Sequence, residues 1–333
     1  MQVSVHEKKM GEVETPRLDS GRKKPMSITI GIPAYNEEGR IGHLLNELLC
    51  QVNSNVVEIV VSDDGSTDKT SDVVLEIAEK TGDHKCEVRL LNRKKRSGKA
   101  AAIDEILKTA KGDIVVLMDA DMRLSRGCVD RLVEPLSKDK NLCVVSGNIL
   151  PLNTQGESQF FSFASNFQRQ LNDQLSRKLV NMNIAPKVNG AFFAFRRRVI
   201  SRLPQTVVSD DEYISSRAQA QGYKVTYVPS AVVYTKDPLN LRDYLSKRRR
   251  VLGGHFLMRN TLHYIVPTTR TELVLPELGR LSARYWRKSF YILALMIFEG
   301  LCRPFAFSDA ARGRVSPCYR VESSKFDVME KKH

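Results

Sequence analysis

A mainly parallel α/β sheet, wrapped on both faces by helices and followed by a helical appendage, is the fold this sequence predicts. Three observations carry it. Short apolar runs alternate with segments of helical period from residue 27 to residue 120, the order that builds parallel β-α-β units. The runs are short and dominated by Ile, Val and Leu, as buried strands are. Three of them end in polar clusters, and open α/β sheets bind ligands at the carboxyl ends of their strands.

The elements follow in order. SITIGIP, 27–33, is the first strand. NEEGRIGHLLNELLC, 36–50, has apolar residues at 41, 44, 45, 48 and 49, which is helical spacing. Asn36 is the expected N-cap, with Glu37 and Glu38 favourable in the first turn. VVEIVVSDD, 56–64, is a strand, and STDKTSDVVLEIAEK, 66–80, a helix with Ser or Thr to cap it. CEVRLLN, 86–92, reads as strand, SGKAAAIDEILKTA, 97–110, as helix, and DIVVLMDA, 113–120, as strand again.

Beyond this the alternation loosens. NLCVVSGNIL, 141–150, reads as strand. Phe160, Phe163, Phe167, Leu171, Leu175 and Leu179 fall at steps of three and four, so 157–180 predicts an amphipathic helix with a core-facing stripe. KVNGAFFAFRRRVI, 187–200, reads as a strand entered through the turn dipeptide Asn189-Gly190. SDDEYISSRAQAQ, 209–221, is a helix with acidic residues at its start, and GYKVTYVPSAVVYT, 222–235, a strand.

The chain has 333 residues, long enough for one large domain with an appendage. Its 52 Lys and Arg against 38 Asp and Glu give a net charge of +14, which points to an anionic partner. The charge is dispersed and no recognition module is visible, so nucleic acid is not the expected partner. Six cysteines, at 50, 86, 128, 143, 302 and 318, contain no CxxC pair, which fits reduced thiols and excludes a zinc ribbon. His255 and His263 have no Cys or Glu at metal spacing and read as ordinary. Residues 1–26 are polar and read as a flexible tail without a signal peptide.

No apolar run reaches the roughly 18–20 residues of a spanning helix. The longest stretch, 289–307, is interrupted by Glu299, Arg303 and Pro304. Its flanking RYWRK, and ten basic against five acidic residues between Arg284 and His333, suit a membrane surface.

The chemistry gathers at strand ends. Asp119 and Asp121 follow the apolar run Ile114 to Met118 with only Ala120 between them. Strand alternation would turn both to one side. Two such carboxylates repel unless a cation lies near, and Mg²⁺ commonly takes one or two protein carboxylates together with substrate phosphates. The plainer reading is an N-cap turn. Other nucleotide fingerprints fail. GxGxxG is absent, Ser97-Gly98-Lys99 lacks the first glycine and the Ser or Thr of a P-loop, and Arg123 breaks the haloacid-dehalogenase pattern. Asp210, Asp211 and Glu212 are crowded, a setting that raises a carboxyl toward a useful range. The basic run Arg93 to Arg96 reads as an exposed loop.

With these motifs in order, the sequence resembles the family-2 inverting glycosyltransferases of the GT-A fold over roughly residues 27–255. IPAYNEE, 32–38, resembles the loop that holds the nucleotide base, through Pro33, Ala34, Tyr35 and Glu37. VVSDDGSTDKT, 60–70, is similar to the second-strand signature, whose second aspartate, here Asp64, accepts a hydrogen bond from the base, while Asp63 holds the turn. Gly98-Lys99 is similar to the family's GK step, and Asp119-Ala120-Asp121 to its DxD metal site, with Asp121 the direct ligand. The block 207–235 resembles the one that opens a helix on an acidic pair, which makes Asp211 the catalytic base with Asp210 beside it. Gly190 falls at the acceptor pocket. KRRRV, 247–251, occupies the place of the QxxRW motif and keeps its arginine as Arg250. Lys247 and Val251 replace Gln and Trp, which sets this chain apart from processive synthases.

The resemblance implies a divalent cation, Mg²⁺ or Mn²⁺, a nucleotide-sugar donor with UDP first, and a glycan or lipid-linked acceptor. It also implies work at the cytoplasmic face of a membrane. Lys99 and Arg250 become phosphate partners, a role for which Arg has the better geometry. The expected layout is a tail at 1–26, a catalytic domain at 27–236, a basic helical segment on the phosphate and acceptor side at 237–270, and a helical region at 271–333. A sugar-phosphate nucleotidyltransferase is the runner-up, but it needs a Gly- and Arg-rich loop where this chain has PAYNEE.

Overall fold

The computed structural model describes residues 26–82, 86–152 and 159–315; the expected tail lies outside them apart from Met26. The first four strands are β1 (Ile28–Ala34), β2 (Val56–Asp63), β3 (Glu87–Asn92) and β4 (Ile114–Met118). Helices α1 (Ile41–Leu49), α2 (Thr70–Lys80) and α3 (Lys99–Thr109) connect them. The short β5 (Arg123–Leu124), α4 (Cys128–Lys138), β6 (Leu142–Pro151), α5 (Gln159–Asn181), β7 (Phe192–Arg196), α6 (Asp210–Ala220) and β8 (Lys224–Thr235) follow. Three helices close the described chain: α7 (Leu241–Leu262), α8 (Thr271–Arg284) and α9 (Ser289–Ala311).

The strands form one sheet in the order β3-β2-β1-β4-β7-β6-β8-β5. Strand alternation splits its side chains between two cores. Ile114, Val116 and Met118 join Leu44, Leu45, Leu48 and Leu132 on one face. Val115, Leu117, Phe193 and Phe195 join Ile103, Ile106 and Ile214 on the other. A third core, of Phe163, Phe167, Tyr244, Leu281, Ile292 and Leu295, holds α5, α7, α8 and α9 together, so the phenylalanine stripe faces a core as its spacing implied.

Four expectations change. β7 runs antiparallel to both β4 and β6, so the sheet is mixed at its centre. The strand expected over 187–200 is only Phe192–Arg196, followed by a 3₁₀ turn. Arg196 closes the ladder opposite Ile114, and the three arginine side chains bond carbonyls: Arg196 to Leu142 and Leu136, Arg197 to Ala110, Arg198 to Lys140. Helix α1 starts at Ile41 with Arg40 in the cap position, so Asn36 is not its N-cap and Glu37 and Glu38 precede it. Asn36 takes φ 53°, and its side-chain oxygen accepts from the Thr67 N–H at 2.7 Å. The Glu37 N–H donates to Thr70 Oγ1 at 2.7 Å. These bonds sew the β1–α1 loop to the β2–α2 loop, which also delays α2 to Thr70. Finally, α9 runs unbroken through Glu299, Arg303 and Pro304; with the turn before it, Trp286–Ala311 is long and apolar enough to cross a membrane by length and composition.

Cys50, Cys86, Cys128, Cys143 and Cys302 are free thiols, as expected; Cys318 lies outside the described residues.

Candidate active site

A single cleft of about 410 Å³ opens at the carboxyl ends of β1, β2 and β4. One wall is built from loops whose carboxylates are saturated. Asp63 ends β2 and accepts from the Ser66 N–H at 2.9 Å and from the hydroxyls of Ser66 and Ser71, so it holds the turn. Asp64 is buried and accepts from the backbone N–H of Ser97 at 2.9 Å and of Gly98 at 2.6 Å. Arg93 Nε lies 3.2 Å from the same carboxylate. Asp64 thus fixes the loop that delivers Lys99 to the first turn of α3. Gly98 has φ 99°, a conformation that costs glycine least. Tyr35 forms the rim, with the Arg96 guanidinium 3.9 Å over its ring.

The opposite wall carries acids that crowd one another. β4 loses its partner after Met118↔Phe192, so Asp119 and Asp121 stand in a turn beyond the strand rather than on it. Both still line the cleft. Lys99 Nζ lies 2.7 Å from Asp119 Oδ1 and 3.7 Å from Asp210 Oδ2, and donates to the Gly190 carbonyl at 2.9 Å. Burial works against the Lys99 charge, but Asp119 and Asp210 overcome it and hold the ammonium above its ordinary range. Burial and then Asp119 raise the Asp121 carboxyl, opposed by Arg40 and Lys247. Arg40 Nη1 is 3.6 Å from Asp121 Oδ2.

Asp210, Asp211 and Glu212 open α6. Burial raises the Asp210 carboxyl to about 6, with Asp211 and Asp119 pushing the same way against Lys99. Glu212 is fully buried, with the Tyr264 hydroxyl and the Val188 backbone beside it; burial, then Asp211, push it up to about 8. Gly190 packs on Asp211. A Cβ there would lie 2.8 Å from Asp211 Oδ2, closer than real contacts allow, so the glycine leaves that carboxylate its place.

Helix α7 divides its basic run. Lys247 Nζ pairs with Asp237 at 2.7 Å, Arg248 with Glu299 at 2.5 Å, and Arg249 with Asp309 at 2.7 Å, while Arg250 lines the cleft. The run is therefore not a solvated face. Burial would raise the Asp237 carboxyl, but Arg169 and Lys247 hold it well below the ordinary range.

The structure brings all twelve residues expected at the site to this one cleft: Pro33, Ala34, Tyr35, Glu37, Asp64, Lys99, Asp119, Asp121, Gly190, Asp210, Asp211 and Arg250. It adds Arg40, Arg96, Lys187, Asp237 and His255. Arg96 was legible only as part of a basic loop. Asp237 was within reach, since it follows β8 and the rule of strand ends applies there too. His255 is half-buried, and desolvation of its ring with Lys187 and Arg248 nearby keeps its imidazole neutral; nothing in its sequence neighbourhood marks it.

The model of glycosyl transferase family 2 matches residues 29–203. The chain belongs to that family. The match covers β1 through β7 and includes the carboxylates of both walls up to the loop before α6. The poly-beta-1,6-N-acetyl-D-glucosamine synthase of Staphylococcus aureus is 24% identical to this chain over 277 residues, 81% of this chain and 64% of the relative. A probable glycosyltransferase, YdaM of Bacillus subtilis, is 24% identical over 73% of this chain and 59% of its own. The chain thus spans less than two thirds of these relatives. Among solved structures, the mannosyltransferase PcManGT from Pyrobaculum calidifontis, in complex with GDP-Man and Mn²⁺, superposes with a TM-score of 0.62 at 20% identity, covering 88% of this chain and 89% of that one. It shares the fold, which is of the GT-A type.

Among the described residues no group of three or more His, Cys, Asp or Glu is placed to hold a metal by itself. Asp119 and Asp121 nevertheless suit a hard divalent cation. They offer only oxygen, they share one cleft, and Asp121 is held in a state that a nearby positive charge would relieve. Two protein carboxylates with phosphate and water making up the rest is the usual arrangement for Mg²⁺.

Proposed function

We propose that this glycosyltransferase is metal-dependent and inverting, moving a sugar from a nucleotide-sugar, UDP-sugars first, to a hydroxyl of a glycan or lipid-linked acceptor at the cytoplasmic face of a membrane. The observation that carries the reading is the convergence of Asp64, Asp121 and Asp211, far apart in the chain, on one cleft. The catalytic domain is 27–236, the segment 237–270 serves the phosphate and acceptor side, and 271–333 faces the membrane.

The saturated wall suits the nucleotide. Pro33, Ala34, Tyr35 and Glu37 form its edge, and Asp64 fixes the loop beneath it while offering remaining lone pairs to the base. Asp119 and Asp121 hold the cation, which when bound neutralises charge growing on the diphosphate leaving group. Lys99 and Arg250 are the chain's own cations for those phosphates. Lys99 already balances Asp119 and Asp210, so it can redistribute its contacts when phosphate arrives without leaving an uncompensated charge.

Asp211 acts as general base. As the acceptor oxygen bonds to the anomeric carbon, its proton passes to the Asp211 carboxylate, and the bond from that carbon to the diphosphate oxygen breaks with its electron pair. A single displacement of this kind inverts the anomeric centre and needs one base. Asp210 and Gly190 position that base: the first shares Lys99 with the cation site, the second leaves the carboxylate room. The separate Lys99, Asp119 and Asp211 machinery, with PAYNEE in place of a Gly- and Arg-rich loop, disfavours nucleotidyl transfer.

The test is a thermal-shift panel of UDP- and GDP-sugars without metal and with Mn²⁺ or Mg²⁺, followed by turnover of the best donor. A native-state ligand raises the melting point. Expected is a shift that needs the cation and is lost in Asp121→Asn. No shift with any donor and either ion, or full turnover in Asp211→Asn, overturns the assignment.

A further inference from the structure

Helix α9 is apolar on the side where a soluble helix is normally polar. Its inward face carries Ile292, Leu295, Cys302, Ala306 and Ala310, all buried. The opposite face carries Phe290, Leu293, Met296, Ile297, Leu301 and Phe305, each at least half exposed. Trp286, just before the helix, is 70% exposed and Phe290 76%. These residues fall at helical steps that form one continuous row, and a row of this extent marks an interaction surface.

Charge says what the surface meets. The only acids in 286–311 are Glu299 and Asp309, and both turn inward, to Arg248 and Arg249. Arg284, Arg287, Lys288, Arg303 and Arg312 are exposed around the apolar row. At its amino end, a groove of about 580 Å³ lies between α5 and the α8–α9 turn. Phe163, Phe290, Asn166, Gln170, Arg287 and Lys288 line it, and Lys288 Nζ is 5.1 Å from the Phe163 ring centre. An aromatic bed with two cations and amides matches a phosphate head on an acyl stem.

We propose that the outer face of α9, with the groove at its amino end, docks flat on an anionic phospholipid bilayer, Arg287 and Lys288 taking a lipid phosphate and the row from Phe290 to Phe305 entering the acyl boundary. The helix lies in the surface rather than crossing it. Its inward face is committed to the domain through Glu299, which Arg248, Gln168 and the Tyr244 hydroxyl contact, and crossing would drag α7 and its arginines into hydrocarbon. A second copy of the chain is the wrong occupant, because pairing two such faces brings two cationic rims together. Paired aromatic and basic residues beside an apolar face are what interfacial helices carry. This deepens the reading of a membrane-side acceptor and rests on it only for its purpose, not for its test.

The chain's one tryptophan is Trp286, a reporter already in place. The full chain is mixed with phosphatidylcholine vesicles with and without phosphatidylglycerol, and with inorganic phosphate alone. Expected are a blue shift of Trp286 emission and flotation with the anionic vesicles, weaker at high salt, and no shift with phosphate. Arg287→Glu/Lys288→Glu should cut flotation at least tenfold, and Leu293→Ser/Ile297→Ser should abolish the blue shift, both keeping the donor-induced thermal shift. The proposal falls if anionic vesicles leave emission and flotation unchanged, if both variants bind as wild type does, or if Trp286 emits as a buried residue before vesicles are added, which means the face is covered by the chain or a second copy. The donor thermal shift needs no vesicles, so failure of the transfer reading shows separately.

Discussion

The two walls of the cleft use the same side chains to opposite ends. On the wall proposed to take the nucleotide, Asp63 and Asp64 are filled with donors from Ser66, Ser97 and Gly98. On the far side, Asp121, Asp210 and Glu212 are raised by burial and by the neighbouring carboxylates Asp119 and Asp211. A saturated carboxylate stiffens a loop; a crowded one is stored demand for a cation or a proton. The comparison teaches that sequence proximity does not separate the two uses, since both walls begin with adjacent aspartates. What separates them is the backbone N–H supply. The β2 end receives N–H groups from its own loop, through Ser66, and from the β3–α3 loop, through Ser97 and Gly98, whereas α6 begins with three acids competing for one helix start.

The comparison breaks first at Asp211. Asn there should lower turnover by about 10²–10⁴, the range of a lost general base, with melting temperature and donor-induced shift unchanged; steady-state kinetics beside a melting curve checks both. Next, Asp121→Asn should remove the cation-dependent part of the donor's stabilisation, which is about 2.7 kcal/mol when ligand is present at 100 times its Kd; titrating Mn²⁺ in a melting assay reads it. On the saturated wall, Asp64→Ala leaves two N–H groups unpaired and should cost about 1–3 kcal/mol, seen as a lower urea midpoint at unchanged slope.

A pH dependence sharpens the account. Glu212 titrates near 8 when folded against its ordinary 4.5, so the folded state holds the proton more tightly. Its contribution to stability is full below about 4.5 and is lost as pH rises through about 8, with a slope of at most about 1.4 kcal/mol per pH unit. Glu212→Gln should flatten that part of the stability profile, measured by urea unfolding from pH 5 to 9.

Much of this was legible in the residues. The apolar runs of β1, β2 and β4 are pure enough that their periods leave one reading, and strand direction then puts their polar ends together. The reversal at β7 was not legible, because Phe192–Arg196 is apolar in either direction and only pairing partners choose. Asn36 misled, since an N-cap and a loop tie use the same side-chain oxygen, and Ser66 and Thr67 lie thirty residues away. Arg96 looked like solvent because its partner, Tyr35, is distant in the chain. Glu299, Arg303 and Pro304 looked like a break in 289–307, yet Glu299 finds Arg248 and the helix continues.

The most direct measurement is a crystal structure of the chain with a nucleotide-sugar and Mn²⁺, using the metal's anomalous signal. Convergence predicts one Mn²⁺ peak against Asp121 with the diphosphate reaching toward Lys99 and Arg250, and the Asp211 carboxylate facing the anomeric carbon from the side away from the leaving group. A donor bound outside this cleft, or a metal peak away from Asp119 and Asp121, contradicts the account.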